Sequence, residues 1–323
     1  MKPRAKVATA TKSKRVEPKM PAATENDFYE SRPIVSRPTF SWPNGADMAF
    51  GVIVSLEHYE LQPPADAFVP VNVPGGMGRA PYPDFRSSSQ RAYGNRVGIF
   101  RIMDVLSRHG LKATAAVDVW TAENCPAVVS RLQELDWEIA GHGHAVNQVI
   151  SSRMDRATEC KYIQSAAKAL EKVFGHKPAG WHGPEYGESE RTPELLAELG
   201  FKYVMDWPND EQPYRMQTAR GPLISVPVAV DLDDVFSYWQ RRIWMDRWER
   251  AIVEAVDALQ SDGASKGGRM MLLNLHPWMI GQPWRIGSLE SVISNIAGRK
   301  GIWLATAGEI AAWAEAQLPL AAR

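Results

Sequence analysis

The feature that most constrains the fold is a repeated alternation of strand-like and helix-like segments. Residues 48–56, MAFGVIVSL, form a nearly continuous apolar run of strand length, which is typical of a parallel strand covered on both faces. From Arg96 onward, strand patterns and amphipathic helix patterns alternate about seven or eight times. This alternation predicts a parallel sheet wrapped by helices, and so many units favour a closed or nearly closed barrel over an open sheet.

An open sheet that bound a nucleotide would need a phosphate loop, and neither G-x-G-x-x-G nor G-x-x-x-x-G-K-[ST] follows the first strand. The sequence therefore weakens the nucleotide-binding alternatives. The predicted strands cover residues 48–56, 113–120, 137–141, 179–181, 201–207, 223–228, 269–276 and 301–307.

The first 39 residues are predicted to precede the folded domain. Residues 1–20 are basic and rich in Ala, Thr and Ser, and no apolar segment of a secretory signal follows them. We interpret them as a disordered leader, with an organellar presequence as the alternative, followed by a Pro-rich lead-in. A single domain is predicted for residues 40–323, with a Pro/Gly-rich insertion loop at 58–95 of the kind that usually forms a functional lid or contact arm.

Charge and cysteine content limit the partners and the compartment. Lys plus Arg and Asp plus Glu both number 37, so no net field favours nucleic acid or an anionic membrane. The chain has no apolar run of about 18 residues, so no membrane-spanning helix is predicted. Only Cys125 and Cys160 are present, without CxxC spacing, which fits a reducing cytoplasm.

Ionisable and aromatic residues follow the C-terminal ends of the predicted strands. All these ends lie at one edge of a parallel barrel, so residues distant in sequence are expected to converge on one cleft. Taken singly, each has a structural explanation as a hydrogen-bonded histidine, an exposed carboxylate or a packed tryptophan. Together they favour a functional site. These residues are Glu57, His58, His142, His144, Trp181, His182, Glu185, Asp206, Asn209, Asp210 and His276.

Four stretches resemble the polysaccharide-deacetylase (NodB-homology) superfamily in order and spacing. They are YGNRVGIFRIMDVLSRHGLKATAA, EIAGHGHA, GWHGPEYGESERTPELLAELGFKYVMDWPNDEQPY and LNLHPWMIGQP. The similarity covers roughly residues 40–317 and is greatest with the allantoinase-like and cytoplasmic peptidoglycan-deacetylase-like branch. The resemblance implies a distorted (β/α) barrel of about seven units with parallel strands. It also implies hydrolysis of a C–N bond in a linear or cyclic amide, and a homo-oligomer.

The family pattern is incomplete in this chain. The resemblance implies paired acids after the first strand, a His-x-x-x-His metal motif and a late Leu-x-His that supplies a general acid. Glu57 matches the acidic position, His142 the first metal histidine and His276 the late histidine. The position four after His142 is Val146, and the neighbour of Glu57 is His58 instead of a carboxylate.

A catalytic zinc ion needs three protein ligands and an open position for water. Glu57, His142 and His144 are the predicted ligand set, with His58 or Asn147 as substitutes. Zinc or another divalent metal is therefore one prediction. The allantoinase-like branch implies that the fold need not retain the full triad, so a metal-free hydrolase is the alternative.

The predicted function is hydrolysis of a small amide or cyclic amide or imide by water attack on its carbonyl. Glu57 is predicted as general base or metal ligand, His276 as general acid, and Asp206 as the carboxylate that orients a histidine. Predicted substrate contacts are Trp181, Glu185, Asp210 and Trp278. A small substrate is favoured because the insertion is long and apolar enough to cover the cleft.

Three other functions are left open by the sequence. The first is N-deacetylation of a carbohydrate. The second is an inactive barrel that binds a ligand or serves as a scaffold. The third is a sugar-binding module, which would present exposed aromatic platforms.

Overall fold

A computed structural model describes residues 28–64, 67 and 82–318, which contain a nine-stranded sheet and its flanking helices. The strands are β1 (Met48–Leu56), β2 (Thr114–Val117), β3 (Glu138–Gly141), β4 (Gly180–Trp181), β5 (Tyr203–Val204), β6 (Tyr214–Met216), β7 (Leu223–Ser225), β8 (Arg269–Leu275) and β9 (Ile302–Leu304). The helices are α1 (Phe85–Tyr93), α2 (Ile99–Arg108), α3 (Val119–Asn124), α4 (Pro126–Glu134), α5 (Arg156–Phe174), α6 (Thr192–Glu198), α7 (Met245–Lys266), α8 (Ile286–Ala297) and α9 (Ala307–Gln317).

The sheet runs in the order β6-β7-β5-β4-β3-β2-β1-β8. Only the β6–β7 pair among these recorded pairings is antiparallel. β1 pairs with β8 along most of its length, with β2 over residues 53–56 and with β9 over residues 48–50. The sheet curls into a half-barrel with helices around it, which confirms the predicted distorted (β/α) barrel. The C-terminal ends of the parallel strands consequently meet at one edge.

β1 and β8 are the longest strands of this sheet, and both are covered on two faces. Every residue of each is buried, as the continuous apolar run at 48–56 predicted. Side chains of alternating positions enter two different core layers. Phe50, Val52 and Val54 pack on the helical side with α2, α7 and α8, whereas Ala49 and Ile53 pack inside the barrel.

The 58–95 insertion contains more regular structure than predicted. Its described part includes α1, whose first turn is capped by Asp84 accepting a hydrogen bond from the Ser87 amide at 2.9 Å. A π-helical turn at Gly94–Gly98 joins α1 to α2. The prediction of a loop is thus wrong for residues 85–95, which are helical, and residues 65–66 and 68–81 lie outside the described residues.

The residues before the barrel are described from Phe28 onward, so the predicted leader at 1–20 lies outside the described residues. Part of the lead-in contacts the barrel, because the Arg37 guanidinium forms two hydrogen bonds with the Asp210 carboxylate at 2.8 and 2.6 Å. Cys125 and Cys160 are both free thiols. In the described part of the chain, every helix is too short or too polar to cross a membrane.

Candidate active site

A cavity of about 320 Å³ opens at the C-terminal edge of the parallel strands. Its walls carry both charged and aromatic side chains. The lining residues are Ser55, Glu57, Arg91, His142, His182, Glu185, Tyr186, Asp233, Val235, Phe236, Asn274, His276 and Trp278.

Glu57 lies at the floor of the cavity and is surrounded by nitrogen donors. Its Oε2 accepts hydrogen bonds from Arg91 Nε at 3.1 Å and Trp278 Nε1 at 3.2 Å. Its Oε1 lies 3.8 Å from His142 Nε2 and 3.5 Å from His276 Nε2. Burial raises the pKa of Glu57, but the charge of His276, the nearby His142 ring and the charge of Arg91 together hold it well below its usual range. Glu57 is therefore ionised at neutral pH.

His276, at the end of β8, is held by the carboxylate of Asp234. Asp234 accepts a hydrogen bond from His276 Nδ1 at 2.7 Å and two more from the main-chain amides of His276 and Ile280. This contact directs Nε2 towards Glu57. Burial lowers the pKa of His276, but the charges of Asp233, Asp234 and Glu57 raise it to about 10. His276 is accordingly a protonated donor across the physiological pH range.

His142 and His182 follow β3 and β4 and form one wall of the cavity. His142 Nδ1 bonds the main-chain oxygen of His182 at 2.5 Å, and its buried Nε2 has no hydrogen-bond partner. Burial lowers the pKa of His142, but Glu57 outweighs it and the net shift is upward. His182 Nδ1 lies 2.9 Å from Asp206 Oδ1. The prediction that Asp206 orients a histidine therefore matches this geometry, with His182 as the histidine.

Glu185 and Tyr186 line the cavity in a strained turn after β4. Both have left-handed backbone conformations, with φ of 53° and 57°, which cost energy for residues with a side chain. Burial, followed by the charge of Glu57, raises the pKa of Glu185 to about 7. A glutamate in a strained conformation and near its own ionisation point is a feature more typical of functional sites than of structural turns.

Five of the nine predicted site residues line the cavity, and four do not, of which Asp206 bonds His182 as described above. Those in the cavity are Glu57, His142, Glu185, His276 and Trp278. The Trp181 indole is fully buried on the helical side, where it packs on Phe201 at 5.6 Å. Asp210 is engaged with Arg37 of the lead-in. Neither position supports the predicted contact with a substrate, because each side chain already has a protein partner elsewhere.

His144 also lies outside the cavity. Its Nε2 bonds Ser165 Oγ of α5 at 2.8 Å, and its ring packs edge-on against Tyr162. Gly143, with φ of 69°, turns the chain between the two histidines, so that they point to different surroundings. The predicted ligand set of Glu57, His142 and His144 is therefore not assembled, and the prediction that His144 replaces the missing histidine is wrong.

The remaining residues do not fit a three-ligand metal site at Glu57. His142 has the hydrogen bonding of a ligand, with a bonded Nδ1 and an unpartnered Nε2. However, the buried Val146 stands at the position of the family's second histidine, and the Arg91 guanidinium occupies the other side of Glu57. Within the described residues, the one group of three potential ligands with all donor atoms within 4.8 Å is Asp233, Asp234 and His276.

That acidic cluster has little capacity left for a cation. Asp234 accepts the three hydrogen bonds described above. The oxygens of Asp233 accept from Tyr186, from Asn274 and from the main-chain amides of Val235 and Phe236. Because donors already approach these oxygens, the cluster is better suited to hold His276 in place than to coordinate a metal.

The sequence did not predict Arg91, Asp233 or Asp234 as residues of the site. Arg91 stands in the middle of α1, and its guanidinium lies 4.0 Å from the ring centre of Trp278 as well as beside Glu57. The two aspartates lie between β7 and β8, remote from any strand end. The pair DD at 233–234 is a signal that could have been noted, because adjacent acids before a π-helical turn offer carboxylates to a neighbouring histidine.

Residues 93–204 match the family model described as polysaccharide deacetylase. These residues are similar to that family. The predicted resemblance to this superfamily is thereby confirmed. The match includes β2 to β5 with His142 and His182, while Glu57 and His276 come before and after it. The polysaccharide deacetylase match thus covers one wall of the cavity, and a deacetylase or amidohydrolase type of function is supported.

Relatives of known sequence and structure extend the likeness over most of the chain. A Schizosaccharomyces pombe (strain 972) protein named "Putative polysaccharide deacetylase" is 24% identical over 88% of this chain and 98% of its own. The crystal structure of a probable polysaccharide deacetylase from Pseudomonas aeruginosa PAO1 has a TM-score of 0.79 at 23% identity. That of PuuE allantoinase has 0.77 at 23% identity. Both comparisons cover 90% of this chain and 99% of the other, and they show a shared fold.

Proposed function

We propose that the protein hydrolyses a C–N bond in a small amide or cyclic amide or imide by direct attack of water. The observation that carries this proposal is the arrangement at the cavity floor. One ionised carboxylate, Glu57, lies within 4 Å of two histidine Nε2 atoms, and the second histidine is held protonated by Asp234. An acceptor and a donor for protons are therefore adjacent, as hydrolysis of an amide requires.

The proposed reaction begins with Glu57 accepting a proton from water while the water oxygen bonds to the carbonyl carbon. The carbonyl electrons move to its oxygen, whose negative charge is stabilised by the Nε2–H group of protonated His142, the form that the upward shift of its pKa favours. The C–N bond then breaks, and the leaving nitrogen takes a proton from His276 Nε2. Glu57 returns its proton to His276 across 3.5 Å. Water has then been added across the C–N bond, and both residues are restored.

The low pKa of Glu57 has two opposing effects on these proton transfers. It makes Glu57 a weaker base, but it also ensures that Glu57 is ionised and returns its proton readily. Arg91 and His142 compensate by stabilising negative charge near the reacting carbonyl. Because the donor set does not fit a three-ligand metal site, we propose that this sequence of proton transfers does not require a metal.

A second candidate is N-deacetylation of a sugar, because the matched family model and two relatives carry the name polysaccharide deacetylase. The two candidates are tested by one screen of the full chain. Cyclic imides, cyclic ureides, N-acetylglucosamine and chito-oligomers are each assayed with and without a chelator. We expect turnover of the small cyclic substrates that the chelator does not reduce. Faster release of acetate from chito-oligomers would instead support the second candidate.

The residue roles are tested by Glu57→Gln and His276→Asn, with His176→Asn as a matched control at an exposed site outside the cavity. Each cavity variant is expected to lower kcat about 100- to 10,000-fold, the usual contribution of a general acid or base. The control should retain the wild-type rate. Unchanged turnover in both cavity variants would show that the proposed roles are wrong.

A further inference from the structure

A second aspartate–histidine pair faces the cavity from the wall opposite His276. His182 follows β4, and its partner Asp206 follows the neighbouring strand β5, whereas His276 follows β8. The strands β3, β2 and β1 lie between the two pairs in the sheet. The histidines of the two dyads therefore line the cavity from different parts of the sheet.

Asp206 is fixed by its surroundings and in turn fixes the ring of His182. Both Asp206 oxygens accept from the Gly183 amide, at 2.8 and 2.9 Å, and Oδ1 also lies 2.9 Å from His182 Nδ1. Gly183 leaves no room for change, since a Cβ there would lie 2.7 Å from the Gly187 oxygen. A carboxylate accepts hydrogen bonds only, so His182 Nδ1 carries the proton. In the neutral ring, Nε2 then has a free lone pair.

The ring of His182 stacks on His142 with centroids 5.2 Å apart, and Tyr186 packs edge-on against it at 4.8 Å. The His182 ring is buried, and burial favours the neutral form of an imidazole. The neutral form is thus favoured for His182, while His276 is protonated. His182 of one dyad can therefore accept a hydrogen bond, whereas His276 of the other can donate one. This division of roles is expected where neighbouring groups differ in ionisation.

We propose that His182 Nε2 accepts a hydrogen bond from an N–H group of the bound substrate next to the reacting carbonyl, and that Asp206 is the positioning residue that maintains the required tautomer. This inference rests on the proposed function. It makes the protein selective for substrates with a free N–H, because an N-alkylated analogue would leave the lone pair of His182 buried without a donor.

The test compares succinimide with N-methylsuccinimide, which differ in the single N–H. Turnover and calorimetric binding of both are measured for the wild type, His182→Leu, His182→Gln and Asp206→Asn, with His176→Leu as control. In the wild type we expect a preference for succinimide of at least about 10-fold, most of it in KM. His182→Leu and Asp206→Asn should abolish the preference, while His182→Gln, whose amide oxygen is an acceptor, should restore part of it.

The tautomer is measured separately, by long-range ¹H–¹⁵N correlation spectra of protein labelled at histidine. We expect the Nδ1–H form for His182 in the wild type and a change in Asp206→Asn. The opposite tautomer in the wild type, or an equal loss with both imides in His182→Leu, would overturn the inference.

Failure of the proposed function gives a different result. If no amide is hydrolysed but succinimide binding still depends on His182, the proposed function is wrong and the inference stands. If imides are hydrolysed with a preference that His182→Leu does not alter, the proposed function stands and the inference is wrong.

Discussion

Glu185 combines an unfavourable backbone conformation with a carboxyl group that ionises near neutral pH. Its φ of 53° and its burial beside Glu57 both oppose the folded state. Its pKa of about 7 in the folded chain exceeds the ordinary 4.5, so the folded protein binds this proton more tightly than the unfolded chain does. The stability gained from the protonated form is present below pH 4.5 and is lost as the pH rises through 7.

Substitution Glu185→Gln is therefore expected to stabilise the protein in a pH-dependent way. The neutral amide mimics the protonated carboxyl, so the variant should match the wild type in acid and exceed it in alkali. Between pH 5.5 and 8.5, the difference in the free energy of unfolding should grow by about 2 kcal/mol. Urea unfolding at the two pH values measures it. A difference that does not vary with pH would contradict the assignment.

The position of residues directly after strands predicts the charged floor of the cavity but not the residues that support it. Glu57, His142 and His276 each lie directly after a strand, where the position in sequence predicts the edge of the barrel. Trp181 was misplaced because successive residues point to opposite faces, and the next residue, His182, faces the cavity instead. Asp234 was not predicted, since it follows no strand and its contact with His276 spans 42 residues; the adjacent acids at 233–234 are the one sign of it in the sequence.

Helix α1 shows how an element outside the regular alternation can shape the site. It carries Arg91 to Glu57, and the turn after it meets the segment that follows β8. A Cβ on Gly98 would lie 2.0 Å from the Pro277 oxygen, and one on Gly94 2.7 Å from the Trp278 amide. Glycine is required at both positions because the two backbones touch. Helix α1 was not predicted from the sequence, because the prolines and glycines of residues 57–85 indicate a loop.

The N-cap of α1 is expected to affect both stability and activity. Asp84→Ala removes the acceptor of the Ser87 amide and should lower the free energy of unfolding by about 1 kcal/mol. Because the same helix positions Arg91, kcat/KM should fall as well. Asp155→Ala at the start of α5, which loses an equivalent contact with Thr158 at 2.8 Å, is the matched control. It should lose similar stability and retain activity, and an equal loss of activity in both variants would contradict a role for α1.

The order of the strands and helices followed from the sequence, because alternating periodicity largely determines a (β/α) architecture. Two features did not follow. The antiparallel β6 is a strand of three residues, Tyr214–Met216, too short for a periodic pattern. The pairing of β9 with the start of β1 depends on the closure of the sheet, which involves residues about 250 positions apart.

The predicted homo-oligomer stays a prediction at this scale. Trp244 and Trp284 are 75% and 58% exposed, and large exposed indoles are common where chains associate. We expect light scattering of the full chain to give a mass that is a multiple of one chain at micromolar concentration. A single-chain mass at every concentration would show the prediction to be wrong.

The ionised carboxylate at the cavity floor also bears on how a turnover ends. Cleavage of an amide C–N bond yields a carboxylic acid, which loses its proton at neutral pH. Such an anion would form beside Glu57, whose charge is maintained by Arg91 and two histidines. Repulsion between the two carboxylates would favour departure of the product. Under the proposed reaction, Glu57 therefore accepts the first proton and also promotes release of the product.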